Sequence, residues 1–178
     1  YSERLFIYKE IDSFTYEQSR KAIEEPVKQF NVVYSDEAIT QIVELTKGYP
    51  FFIQQLCQII YKNTDLKLID LKCVQNNRSE FLQMLDKGFF KVRYERCAES
   101  DKMFVFAMVK CGELPCTISN VAKNMHKSVS SISTTRAQLI NKGIIYSVRY
   151  KELDFTVPEF DGFIKRLDEY RQWCEENK

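Results

Sequence analysis

Apolar residues recur near every third or fourth position through most of this chain, and each run is bracketed by residues that start or stop helices. Residues 15–30 form the first such run, and Pro26 is placed to kink or end it because proline removes a backbone donor. In the second, Ser35-Asp36-Glu37 supplies a capping side chain and acids at the positive end of the helix dipole. Ala38, Ile39, Ile42, Val43 and Thr46 then share a face, and Lys47-Gly48 closes the segment. Pro50 opens the third helix, where its missing N–H costs nothing. Phe51, Phe52, Ile53, Leu56, Cys57, Ile59, Ile60 and Tyr61 make that helix apolar almost all round, the pattern of a helix enclosed by others. Asp70 is placed to cap a fourth helix carrying Val74, Phe81, Leu82 and Leu85 toward Phe89-Phe90, and the charged residues 91–100 read as a connector.

The second half has a different order. A helix over 101–110 is followed by a short one over 117–125 (Ile118, Val121, Ala122, Met125) and a turn at His126-Lys127. Ser128 is expected to cap a third helix, with Val129, Ile132, Leu139 and Ile140 inward and Gly143 just past its end. Two short β-rich runs, 144–150 and 153–157, read as a hairpin joined at Lys151-Glu152. A last amphipathic helix is expected over 159–174. Helix, helix-turn-helix, then a two-stranded wing is the order of a winged helix-turn-helix domain. The expected fold is therefore mainly α: a helical subdomain over 1–95, then a winged helix-turn-helix domain with a small hairpin wing over 96–178.

The chain of 178 residues carries 26 Lys+Arg and 25 Asp+Glu, a net charge of +1 that excludes a protein basic throughout. With 44% hydrophobic residues it can bury a sizeable core, and five Gly and four Pro argue against low complexity. No apolar run approaches the roughly 20 residues needed to span a bilayer, so no membrane partner is expected. The even balance hides a segregation, because no Asp or Glu lies between Glu113 and Glu152. That stretch holds Lys123, Lys127, Arg136, Lys142, Arg149 and Lys151, while the rest of the chain has 20 basic against 25 acidic residues. Positive charge on a recognition helix and wing is what a phosphate-binding surface needs. Candidate DNA-contacting residues are Lys127, Ser130, Ser131, Thr134, Arg136, Gln138, Lys142, Arg149 and Lys151, and double-stranded DNA is the expected partner. Docking on a protein partner, or self-association, is the alternative for the same face.

Six cysteines include one close pair, Cys111 and Cys116, with His126 beyond it, but no complete metal-ligand set can be named from the spacing. No catalytic constellation of Cys/His or Ser/His/Asp appears either. Thiols of this kind fit a reducing, cytoplasmic setting.

The run ELTKGYPFFIQQLCQ, with LDKGFFKVRYER at 85–96, RAQLINKGIIYS at 136–147 and FTVPEFDGFIKR at 155–166, resembles the lid and winged-helix region of prokaryotic AAA+/STAND-type P-loop ATPases, related to the origin-recognition and cell-division-control ATPases. The resemblance implies that the first unit is a nucleotide-sensing lid, with Gly48, Tyr49 and Pro50 facing the adenine side of a bound nucleotide; a helix cap followed by a proline start explains the same three residues without a ligand. It also implies that Arg4 could act in trans on a neighbour's nucleotide. ATP and Mg are then expected in a longer parent protein, in keeping with a chain that opens at Tyr1 rather than Met. No Gly-x-x-x-x-Gly-Lys-Ser/Thr phosphate loop occurs here, and the arginine that many such lids carry at the helix start is replaced by Pro50-Phe51-Phe52. The chain alone is therefore expected neither to bind ATP tightly nor to hydrolyse it.

Overall fold

The computed structural model describes residues 13–65 and 67–177. The fold is mainly helical and divides into two compact units between Gln83 and Met84.

In the first unit, α1 (Tyr16–Glu24) is started by a capping box, in which the Thr15 hydroxyl accepts from Gln18 N–H while the Gln18 side chain accepts from Thr15 N–H. At Pro26 the chain tightens into a 3₁₀ turn, Glu25–Phe30, which leads to the two-residue strand β1 (Val33–Tyr34). Ser35 caps α2 (Asp36–Thr46), Pro50 opens α3 (Pro50–Asn63), and β2 (Leu68–Ile69) pairs in parallel with β1. Asp70 accepts from Cys73 N–H at the start of α4 (Leu71–Leu85). The apolar faces of these helices meet through Ile23, Ile39, Ile42, Phe52, Leu56, Ile60 and Phe81, all buried. The Phe52 and Phe81 rings meet edge-on at 6.2 Å. Each such side chain contributes about 1.5–3 kcal/mol of transfer free energy on burial.

The second unit begins with a π-helical turn, Asp86–Phe90, running into α5 (Lys91–Tyr94). Its centre is α6 (Glu99–Lys110), in which Phe104 to Val109 are buried without interruption. Around it lie β3 (Cys116–Thr117), α7 (Ile118–Asn124), α8 (Ser133–Asn141), the hairpin β4 (Ile145–Arg149) and β5 (Glu152–Phe155), then α9 (Phe160–Arg166) and α10 (Asp168–Glu176). The three strands form an antiparallel sheet in the order β3-β5-β4. The order helix, helix, turn, helix, hairpin is the predicted one.

Four local expectations are corrected. The division falls before residue 84 rather than after 95. Phe90 packs on Phe160 and Phe163, and Tyr94 on Phe106, so the supposed connector belongs to the second core. The third helix starts at Ser133, not after a cap at Ser128. Ser131 Oγ donates to Ser128 C=O and Ser133 Oγ to Ser130 C=O, so serine hydroxyls take carbonyls in a turn and leave Val129 exposed. The C-terminal helix is broken at Leu167, which is extended, and the new direction brings Tyr170 and Trp173 onto the Phe106 ring. Finally, β3 was not expected as a strand; it exists because β5 offers it a ladder.

Candidate nucleic-acid interface

The hairpin is set against α8 by local chemistry at the helix end. Gly143, at φ +66°, donates to Ile140 C=O, and Ile144 donates to Leu139 C=O, the paired bonds of a left-handed C-terminal cap. The Thr156 hydroxyl then donates back to Gly143 C=O at 2.6 Å and ties β5 to the same point. Thr117 caps α7 by accepting from Asn120 N–H, while Ile118 N–H donates to Lys151 C=O and holds the hairpin tip over the start of α7.

Between these elements lies a groove of about 460 Å³, walled by Val129, Ser133 and Arg136 on the helix side and by Ser147, Arg149, Tyr150 and Lys151 on the hairpin side. Arg136 bridges the two walls, its Nη2 donating to Ser147 Oγ at 2.7 Å. The buried Nε of the same guanidinium has no hydrogen-bond partner among the described residues. At the hairpin tip Lys151 adopts φ +66° and carries its ammonium 5.0 Å from the centre of the Tyr150 ring, which is itself 87% exposed. A bulge at Val148 breaks the β4–β5 register, so that Arg149 pairs with Glu152 where strict alternation would require Val148 to do so. Among the described residues the groove therefore gathers three cations, two serine hydroxyls and an exposed tyrosine, with no carboxylate in its lining.

Of the sequence-predicted residues, Arg136, Arg149 and Lys151 line this groove. Thr134 and Gln138 are exposed one turn apart on α8, beside the exposed Ser133, Ala137 and Asn141, which makes one face of α8 uncharged, polar and small. Ser130 and Ser131 are exposed, but their groups are engaged in the turn before α8, and Lys127 is exposed beyond the lining. Lys142 has a different role. Its ammonium forms an ion pair with Asp101, fully buried at the start of α6, and donates to Arg96 C=O. The Asp101 carboxylate holds the Lys142 ammonium above its ordinary pKa. Asp101 also accepts from Ala98 N–H, so the pair fastens the end of α8 to the start of α6. Ser147, Tyr150 and Asn141 were not among the expected residues; polarity inside an amphipathic pattern was their only signal.

In the first unit, Gly48 turns at φ +70° with its Cα against the backbone of Phe14, whose N–H donates to Gly48 C=O at 2.8 Å. A Cβ there would lie 2.4 Å from Phe14 O, so the close approach that requires glycine is made by the chain itself. Tyr49 packs its ring edge-on to Phe52 at 4.8 Å. Pro50 lines an apolar cleft of about 320 Å³ with Ile23, Val27, Phe30, Ile53 and Tyr61. The three residues are thus adjacent but face different surroundings. Arg4 lies outside the described residues.

No group of three or more metal-ligating side chains occurs among the described residues, and no described helix is long and apolar enough to cross a membrane. No curated protein matches the chain. Residues 87–164, which contain the groove and the helices around it, match a family described as a Domain of unknown function (DUF8462).

Proposed function

We propose that the second unit binds duplex DNA through α8 and the β4–β5 hairpin. On this reading the chain is the lid and output portion of a cytoplasmic AAA+/STAND-type ATPase whose nucleotide state reorients that surface. The observation that carries the DNA reading is the convergence of Arg136, Arg149 and Lys151 on one groove, within a stretch that has no acid between Glu113 and Glu152. Cations on the hairpin meet phosphates, while Thr134, Gln138 and Asn141 are short or amide-bearing side chains suited to base edges in a major groove. For the ATPase parent the support is the sequence resemblance. On the same resemblance Gly48, Tyr49 and Pro50 would face the adenine side of an ATP held, with Mg, by the parent's nucleotide core.

Fluorescence anisotropy with a short labelled duplex at low salt tests the DNA reading. Three neutralised phosphates predict a log–log salt slope of roughly −2.7. Charge reversal at Arg149 and Lys151 together should weaken binding at least about tenfold and flatten that slope. Absence of binding, or binding indifferent to the reversals, sinks the proposal. A protein-docking role is the second reading, favoured by the exposure of Tyr150, Val148 and Tyr146 along the hairpin. An interface of that kind would persist as salt rises.

A further inference from the structure

Tyr150 and Lys151 are the two residues between β4 and β5, closed off by the Arg149–Glu152 pair. A loop this short favours glycine, asparagine or aspartate where the backbone turns left-handed, yet Lys151 holds that place at φ +66°. Turn formation therefore does not account for these side chains. Packing does not either: Tyr150 is 87% exposed, whereas Tyr146 and Val148 on the same hairpin are more than half covered. The tip is nevertheless fixed, because Ile118 N–H donates to Lys151 C=O at 3.0 Å. An aromatic side chain presented from a fixed tip loses little freedom when it meets a flat partner.

The chemistry around Tyr150 is that of a base-stacking platform. The Lys151 ammonium lies over the ring, 5.0 Å from its centre. Arg149 and Lys151 flank it in sequence, and both line the groove with Arg136. Cations in this arrangement meet the phosphates on either side of a nucleotide, while the ring offers its base a π face. In a fully paired duplex the base faces are already covered by their neighbours, so a stacking ring finds its partner only where a base has left its pair. We propose that the hairpin tip selects DNA containing locally unpaired bases: α8 and the groove hold the duplex backbone, and Tyr150 stacks on an unpaired base beside it. The inference rests on the duplex-binding reading above and adds to it the class of DNA preferred.

The test compares, by fluorescence anisotropy, a fully paired duplex with one of the same length that has a short central run of mismatched pairs. The two carry the same number of phosphates, and mismatched bases cost least to unstack. The mismatched duplex should bind at least about fivefold more tightly. Because stacking releases no counterions, that ratio should hold between about 50 and 200 mM salt while both affinities fall. Tyr150→Ala should bring the ratio to about one, whatever it does to either affinity, and Tyr150→Phe should keep it. With 5-iodouracil at an unpaired position, irradiation of the complex should crosslink the DNA to Tyr150, as read by peptide mapping. Equal affinity for the two duplexes overturns the inference and leaves duplex binding standing, whereas binding to neither removes both. A preference that survives Tyr150→Ala, or crosslinks found only at other residues, also overturns it.

Discussion

Gly48 carries two separate demands, a left-handed φ and a Cα in contact with the Phe14 carbonyl. An alanine there meets a conformational penalty of about 1–2 kcal/mol and must also push the Phe14 backbone away. Gly48→Ala should therefore cost at least about 2 kcal/mol in urea unfolding, whereas a glycine kept only to admit a ligand would cost far less. Asp101 is the comparable residue in the second unit. Its carboxylate satisfies the Ala98 N–H and neutralises Lys142, so Asp101→Ala removes a helix cap and strands a backbone donor. Loss of a cap of this kind costs about 1–2 kcal/mol, readable in the same assay. Lys142→Gln should also lower stability, yet duplex affinity should change little, because the ammonium is committed to Asp101.

At the scale of the element, the hairpin has a titration of its own. Asp154 in β5 has its pKa raised, first by burial and secondarily by Asp161, although its Oδ1 accepts from Phe155 N–H at 2.7 Å. A carboxyl raised in the folded state stabilises the fold only while protonated, and that contribution is lost as pH rises through its folded value. Asp154→Asn keeps the acceptor and removes the charge. It should raise stability at pH 7 by about 0.5 kcal/mol, discounted because the group is partly exposed, and the gain should vanish near pH 3 in thermal melts. Helix starts such as Thr15, Ser35, Pro50, Asp70 and Thr117, and the Gly143 stop, are readable from sequence because each acts within a turn of itself. Ser128 has the same local signature, but the Ser131 and Ser133 hydroxyls take the Ser128 and Ser130 carbonyls, so helix and serine turn cannot be told apart by spacing. β3 and the break at Leu167 depend on partners far along the chain, β5 and Phe106, and leave no local mark. The candidate site divides the same way. Segregated charge pointed to Arg136, Arg149 and Lys151, while the diversion of Lys142 to Asp101 spans 41 positions and is a fact of tertiary packing.

For the whole molecule the relevant quantity is where charge sits. A net charge of +1 is too small to steer a polyanion, yet residues 114–151 carry six cations and no carboxylate. At physiological salt the Debye length is about 8 Å, so a charge acts strongly only on phosphates within about that distance of it. Local and global electrostatics can therefore be separated. Glu25→Gln with Glu44→Gln, both exposed in the first unit, raises the net charge from +1 to +3 without touching the groove. Arg149→Glu with Lys151→Glu lowers it from +1 to −3 at the groove itself. If the groove binds phosphate, the first pair should shift duplex affinity by less than about twofold at 150 mM salt, and the second by at least about tenfold. Similar shifts per unit charge in both pairs would mean that the chain attracts DNA as a diffuse polycation. The groove between α8 and the hairpin would then have no special part in binding.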